Sequence, residues 1–207
     1  MARRKAQMTN FADIIVSLYD RHAAAYDRQR SRKLMEAHWL DRLLSLLPAT
    51  PSVLDIGCGM GEPIARHLIE QGCTVTGIDS SAPLIALCRA RFPEQDWQVA
   101  DMRELALGRR FDGLIAWDSF FHLTPDDQRR IFPLFHLHAA QGAALLFTSG
   151  PRHGEAIGSF EGELLYHGSL DPAEYRNLLA ENGFSVVDHV VEDPTCGGHT
   201  VWLARQG

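Results

Sequence analysis

The chain has 207 residues, enough for one domain with a sizeable core, and its 45% hydrophobic and 22% charged content is ordinary for a globular protein. A net charge of −6 argues against a polyanionic partner such as nucleic acid, and no apolar run is long enough to span a membrane. The basic start, Met1–Lys5, is not followed by the apolar core of a signal peptide. We therefore expect a single domain with no nucleic-acid or membrane partner, and the oligomeric state is left open.

The cysteines and histidines show no metal-binding pattern. Cys58, Cys73, Cys88 and Cys196 lack C-x-x-C spacing, so neither a zinc site nor a disulfide framework is indicated. The ten histidines are scattered along the chain. We therefore expect no metal and a reducing, cytoplasmic location.

Two helices are predicted ahead of the first strand. Thr9 or Asn10 can cap the first helix, whose apolar residues keep helical spacing at Phe11, Ile14, Ile15, Leu18 and Tyr19. The second helix is predicted from about Ser31 to Leu47, and Pro48 ends it. Together they predict a helical segment over residues 9–50.

A strand, a glycine-rich turn and a helix follow. The apolar run Val53–Ile56 is typical of a buried parallel strand, and glycines stand at alternate positions after it, at Gly57, Gly59 and Gly61. Because glycine has no Cβ, such a turn lets the backbone approach a ligand closely. Asp79 ends the next apolar run, 20 residues after Gly59. A carboxylate at this spacing reaches ribose hydroxyls in doubly wound sheets, so the pattern predicts a nucleoside ligand.

Strands and helices then alternate. Further strands are predicted at Thr74–Asp79, Trp97–Ala100, Phe111–Trp117 and Ala143–Ser149. Helices are predicted over 61–71, from Ser81 to before Phe92, and from the cap Thr124 onward with a kink at Pro133.

The last third of the chain departs from this alternation. Residues 150–170 are rich in glycine and have no clear period, so a loop is expected there. A helix capped by Asp171 and ending at Gly183 follows. The final β segments, Phe184–Glu192 and His199–Ala204, are joined too closely for a helical crossover and should pair antiparallel. The whole pattern predicts an α/β fold with a doubly wound, mostly parallel seven-stranded sheet and an antiparallel terminal hairpin.

The segment Ser52–Gly61 resembles motif I of the class I S-adenosylmethionine-dependent methyltransferases. The carboxylate Asp55 inside the strand and the G-x-G-x-G spacing carry the resemblance, and the terminal hairpin and helical prelude extend it from about Thr9 to Gln206. It implies a Rossmann-like domain over residues 1–207, with an N-terminal helical cap over 9–50, a cofactor-binding half over 51–150 and a substrate-side half over 151–207. The implied cofactor is S-adenosyl-L-methionine.

The resemblance implies an enzyme that transfers a methyl group to an oxygen, nitrogen or carbon nucleophile of a small-molecule acceptor. Two alternatives stay open. A non-catalytic module that only binds the cofactor is one, because this chemistry has no obligatory catalytic residue. An NAD(P)-dependent oxidoreductase is the other, although such enzymes use G-x-G-x-x-G, whereas position 62 here is Glu62.

The resemblance also implies roles for individual residues. Asp79 would accept hydrogen bonds from the ribose hydroxyls, Asp101 would accept one from the adenine amino group, and Trp117 would hold the amino group of the cofactor through its carbonyl. The full set of candidate cofactor-binding residues is Tyr19, Tyr26, Asp55, Gly57, Gly59, Gly61, Asp79, Ser80, Asp101, Met102 and Trp117.

A hydroxyl or carbon acceptor would need a general base, and histidine or a carboxylate at the strand ends could serve. The catalytic candidates are Asp118, His122, His153 and His199, with Glu155, Tyr166 and His167 as further possibilities. We expect residues 150–170 and His199 to form the wall of the acceptor site opposite the N-terminal helices.

Overall fold

The computed structural model describes residues 14–207. Thr9, Asn10 and Phe11, which were expected to begin the first helix, lie outside this range. The strands of the described chain are Ser52–Ile56 (β1), Thr74–Asp79 (β2), Asp96–Val99 (β3), Phe111–Ala116 (β4), Ala139–Ser149 (β5), Gly154–Phe160 (β6), Glu163–Ser169 (β7), Phe184–Asp193 (β8) and His199–Gln206 (β9). The α-helices are Ile15–Gln29 (α1), Ala37–Leu44 (α2), Ile64–Glu70 (α3), Ala82–Arg91 (α4), Pro125–His138 (α5) and Pro172–Glu181 (α6).

Seven strands form one sheet in the order β3-β2-β1-β4-β5-β9-β8. The first five of these pair in parallel, and β9 runs antiparallel to both of its neighbours. The predicted fold class, including the antiparallel terminal hairpin, is confirmed. The strand order reverses between β1 and β4, and ligands bind in the crevice outside the carboxyl ends of the strands at such a reversal.

Hydrophobic residues cover both faces of this sheet. Helices α2, α3 and α4 pack on one face through Trp39, Leu40, Leu43 and neighbouring side chains. Helices α5 and α6 pack on the other face, where the buried side chains include Phe120, Phe132, Phe135, Phe147, Tyr175 and Trp202. The strands of the middle of the sheet are thus buried on both sides, which explains why β1 reads as a continuous apolar run.

The predicted second helix is wrong in extent. It was expected from about Ser31 to Leu47, but α2 covers only Ala37–Leu44. The hydroxyl oxygen of Ser31 accepts a hydrogen bond from the Lys33 amide (3.1 Å), and the Arg32 guanidinium donates to the Arg30 carbonyl (2.9 Å). Such local side-chain bonds offer the backbone an alternative to the helix.

The loop expected over residues 150–170 is also wrong in most of its length. Strands β6 and β7 form an antiparallel hairpin there, in register from Gly154 opposite Ser169 to Phe160 opposite Glu163. Its two-residue turn, Glu161–Gly162, has φ values of 51° and 81°. Two left-handed residues in a two-residue turn suit the twist of a hairpin. Except for Gly150, which precedes β6, the glycines that read as a loop lie within these strands or at the turn.

No helix within residues 14–207 is long and apolar enough to cross a bilayer.

Candidate functional site

A cleft of about 800 Å³ lies at the carboxyl ends of β1 to β4, where helix α1 also borders it. Ten of the predicted site residues line it together: Tyr19, Tyr26, Gly57, Gly59, Asp79, Ser80, Asp101, Met102, Asp118 and His122. Four aliphatic side chains that the sequence did not single out complete the wall, at Ile15, Val16, Leu84 and Leu123.

The glycine loop after β1 leaves no room for a side chain at Gly57. The amides of Gly57 and Cys58 both donate to the Ile78 carbonyl, at 2.8 and 2.9 Å, so the loop is tied to the end of β2. Gly57 has φ of 75°, and a Cβ added to it would lie 2.3 Å from the Cβ of Ser119. Glycine at this position is therefore required by both conformation and space.

Asp79 connects this loop to the start of α4. Its Oδ2 accepts a hydrogen bond from the Gly59 amide (2.9 Å), and its Oδ1 accepts one from the Ser81 amide (2.8 Å). Burial raises the pKa of Asp79 to about 6, against the effect of these two amides. Each carboxylate oxygen can accept more than one hydrogen bond, so both remain able to bind a hydroxyl group in the cleft.

Asp101 follows β3 and is engaged by a neighbour. The Arg103 guanidinium contacts the Asp101 carboxylate through Nη2 and Nε, at 2.7 and 3.0 Å from Oδ2. Burial would raise the pKa of Asp101, but the hydrogen bonds from Arg103 outweigh it and hold the pKa below its ordinary value. A ligand amino group at Asp101 would share this carboxylate with Arg103.

His122 is a buried and neutral histidine at the cleft. Its Nδ1 lies 2.8 Å from the Tyr166 carbonyl, and its Nε2 lies 3.1 Å from the Tyr19 hydroxyl. Burial lowers the pKa of His122 to about 4 and raises that of Tyr19 well above its usual value. Because a carbonyl can only accept, Nδ1 carries the proton, and Nε2 accepts the hydrogen bond from Tyr19.

Asp118 and His199 form an ion pair at the end of β4. The His199 Nε2 lies 2.9 Å from Asp118 Oδ1, and the His199 Nδ1 lies 2.7 Å from the Cys196 carbonyl. Asp118 raises the pKa of His199 in spite of burial, which favours the protonated imidazole. Asp118 itself has φ of 50°, an uncommon conformation for a residue other than glycine.

Arg30 and Glu36 belong to the same charged group, although the sequence did not single them out. The Arg30 Nη2 lies 3.0 Å from Glu36 Oε1 and 3.9 Å from Asp118 Oδ2. The Glu36 side chain is fully buried and its second oxygen has no hydrogen-bond partner. The only signal in the sequence was a basic run at 28–33, which reads equally well as a solvated helix face.

Three predicted cofactor residues do not line the cleft. Asp55 is buried beneath the loop, where burial and then the nearby Asp79 carboxylate raise its pKa to about 7. Gly61 packs against Phe92, to which an added Cβ would approach within 3.1 Å. Trp117 is buried with its indole stacked on His199, the ring centroids 5.4 Å apart. Their assignments stay predictions.

The remaining catalytic candidates lie in a second cavity. His153, Glu155 and His167 line an open space of about 830 Å³ between the end of β5 and the β6–β7 hairpin. Tyr166 lies beside it and donates a hydrogen bond from its hydroxyl to Glu155 Oε1 (2.7 Å). The catalytic candidates are therefore divided: Asp118 and His122 line the cleft, His153, Glu155 and His167 line the second cavity, and His199 lines neither.

Comparisons with known proteins agree with this geometry. Residues 53–142 match the family described as a methyltransferase domain. A dTDP-3-amino-3,6-dideoxy-alpha-D-glucopyranose N,N-dimethyltransferase of Streptomyces fradiae is 33% identical over 116 residues, which cover 56% of this chain and 44% of that protein. A malonyl-[acyl-carrier protein] O-methyltransferase of Pseudescherichia vulneris is 30% identical over 140 residues, covering 65% of this chain and 53% of that protein. The chain thus spans about half the length of these relatives.

Solved structures with low sequence identity to this chain share its fold. The structure of CalS10 with bound S-adenosylmethionine, an amino pentose methyltransferase from Micromonospora echinaspora, superposes with a TM-score of 0.69. The superposition covers 89% of this chain and 95% of that one at 20% identity. The family match over residues 53–142 and this strand order support the resemblance to the class I S-adenosylmethionine-dependent methyltransferases.

Proposed function

We propose that the protein binds S-adenosylmethionine in the cleft and transfers its methyl group to a small-molecule acceptor. The observation that carries the proposal is that one continuous cleft joins the glycine loop and the acids at the ends of β2 and β3 with a neutral histidine. When bound, the cofactor supplies an electrophilic methyl group on a sulfonium centre. The enzyme then has to align the acceptor and exclude water.

The residues of the cleft fit this cofactor. Asp79 has two partly engaged carboxylate oxygens for the ribose hydroxyls, and Asp101 with Met102 borders the expected adenine position. The loop at Gly57 and Gly59 admits only a close backbone approach, which suits a compact amino-acid moiety. Arg30, at 3.9 Å from Asp118, offers a cation for the carboxylate of that moiety.

The cofactor assignment has a direct test. By calorimetric titration, S-adenosylhomocysteine should bind at least about a hundredfold more tightly than NAD or NADP. A pyrophosphate needs a glycine at the position that Glu62 occupies here, where the third glycine of G-x-G-x-x-G would stand. Equal affinities would favour the oxidoreductase alternative. Transfer of a radiolabelled methyl group to any acceptor would then exclude a module that only binds the cofactor.

Cofactor affinity should depend on pH through Asp79. Its pKa of about 6 in the free protein means that the carboxylate form, which accepts from both ribose hydroxyls, predominates only above that pH. Affinity for S-adenosylhomocysteine should therefore fall by up to about tenfold per pH unit as the pH is lowered below 6. Calorimetry from pH 5 to 8 measures this, and Asp79→Asn, which cannot titrate, should remove the dependence. A wild-type affinity that is flat across this range would contradict it.

His122 is proposed as the general base for an acceptor that must lose a proton. Its Nε2 accepts from the Tyr19 hydroxyl at the cleft, so a proton can pass from the acceptor to Nε2 directly or through that hydroxyl. His199 is less suited to this role, because both of its nitrogens already lie near acceptor oxygens and Asp118 raises its pKa. We assign to His199 the positioning of Asp118 at the cleft.

The division of the chain is proposed on the same grounds. We propose the cap over residues 9–50, within which α1 supplies Tyr19 and Tyr26 to the cleft. Residues 51–150 bind the cofactor, and residues 151–207 contribute the acceptor side. All four cysteines are free and buried, which supports a reducing, cytoplasmic setting.

A further inference from the structure

The second cavity contains an arginine without a partner. Arginines elsewhere in residues 14–207 mostly hold a carboxylate or a carbonyl: Arg91 contacts Asp27, for example, and Arg129 contacts Glu174. Arg152 and Arg28 have no hydrogen bond or ion pair with any residue in this part of the chain. Of these two, only Arg152 lines a cavity.

Arg152 is solvent-exposed at this cavity, and no carboxylate of the described residues pairs with it directly. Glu155 is the acid among the residues that line the cavity, and its carboxylate accepts a hydrogen bond from the Tyr166 hydroxyl instead. His153, next to Arg152 in the chain, also has no partner among the described residues. An unpaired guanidinium in a concave site is suited to a carboxylate or phosphate, which it can bind through two parallel hydrogen bonds.

This cavity lies beside the proposed reaction site. His167 lines the second cavity and His122 lines the cleft, and the centroids of their rings are 5.1 Å apart. The ring of Phe121 lies 5.1 Å from that of His167 on the same wall. The two cavities are therefore separated by a wall about one side chain thick.

We propose that the second cavity binds an anionic group of the methyl acceptor, a carboxylate or a phosphate, with Arg152 as the principal contact and His153 as a second one. The acceptor is then an anionic small molecule whose nucleophilic atom lies at the His122 side. This assignment rests on the proposed function, and it makes Arg152 a specificity-determining residue of the acceptor site.

The test is anion binding to the full chain saturated with S-adenosylhomocysteine. Inorganic phosphate and acetate serve as separate probes, with ionic strength held constant by chloride, and NMR follows the Arg152 Nε–H and His153 ring signals. We expect saturable shifts with at least one probe and about tenfold or greater weakening in Arg152→Gln, on the scale of a lost charge-assisted hydrogen bond. Arg28→Gln is the matched control, since it removes the other unpaired arginine, and it should bind the anion like the wild type.

Three outcomes would overturn the assignment: no saturable shift in the wild type, equal binding by Arg152→Gln, or equal weakening by Arg28→Gln. Calorimetry with S-adenosylhomocysteine separates this result from the proposed function. A chain that binds the cofactor product but no anion refutes only the acceptor class. A chain that does not bind the cofactor product refutes the proposed function, and the anion titration of the free chain still decides the role of the cavity.

Discussion

Asp79→Ala should weaken the binding of S-adenosylhomocysteine by tenfold or considerably more while the protein stays folded. In the proposed cofactor site this carboxylate accepts from two ribose hydroxyls, and hydrogen bonds to a charged group contribute about 1.5–3 kcal/mol each. The same substitution also removes the acceptor for the Gly59 and Ser81 amides, at 2.9 and 2.8 Å, so the glycine loop loses its anchor to α4. Calorimetric titration measures the affinity, and circular dichroism with thermal unfolding checks the fold.

Asp112, at the opposite end of the parallel strands from the cleft, offers a control for this substitution. Asp112 Oδ2 accepts hydrogen bonds from the Ser52 amide and hydroxyl, both at 2.8 Å, so it also ties two strands together through a part-buried carboxylate. Asp112 lies on β4 away from the cleft. Asp112→Ala should therefore cost stability without changing cofactor affinity. If folded Asp79→Ala binds the cofactor product as the wild type does, the nucleoside assignment of this cleft is wrong.

His122→Ala should lower methyl transfer by about a hundredfold with little change in cofactor affinity. A positioned general base contributes about 10²–10⁴-fold in rate, and His122 is neutral with its Nε2 accepting at the cleft. Its pKa of about 4 means that the active, unprotonated form persists well below the ordinary value of 6.5. At saturating cofactor and acceptor, kcat should thus lose activity only as the pH falls towards 4, and NMR titration of the His122 ring should show the same value.

His138 is the matched control for this experiment. It is equally buried, its Nε2 accepts from the Leu107 amide (3.0 Å) and its Nδ1 donates to the Leu134 carbonyl (2.8 Å), but it is remote from the cleft. His138→Ala should reduce stability and leave transfer by the folded enzyme near the wild-type rate. Tyr19→Phe keeps the ring and removes the hydroxyl, so it tests the proton path without opening a cavity. Normal transfer by His122→Ala would refute the base.

The pKa of His122 also has a consequence for stability. The pKa of His122 is lower in the folded protein than in the unfolded chain, so between these two values the unfolded chain binds a proton that the folded protein does not. The contribution of His122 to stability is therefore complete above about pH 6.5 and declines as the pH falls towards 4. Asp79 and Asp55 have raised pKa values and act in the opposite direction as the pH rises towards 6 and 7. The effect of His122 is therefore visible only as a difference between the wild type and His122→Ala.

The sequence alone determined the fold class, and it predicted ten of the residues that the structure brings together at the cleft. The glycine loop and Asp79 could be found because they depend on contiguous residues: an apolar strand, a turn that needs glycine, and a carboxylate at the end of the next strand. The strand ends Asp101 and Asp118 followed in the same way, since parallel strands bring their carboxyl ends to one edge. The antiparallel terminal hairpin was predictable because the connection between its two strands is too short for a helical crossover.

Only the tertiary structure decided which groups meet and in which charge state. The hairpin of residues 154–169 was missed because its glycines and polar residues read as a loop, whereas its pairing depends on a two-residue turn at Glu161–Gly162. The charged group of Arg30, Glu36, Asp118 and His199 joins segments far apart in the chain, which no local pattern records. A pKa follows from burial and neighbouring charges rather than from residue type. For that reason the pKa values of two histidines with similar prospects in the sequence, His122 and His199, are shifted in opposite directions in the fold.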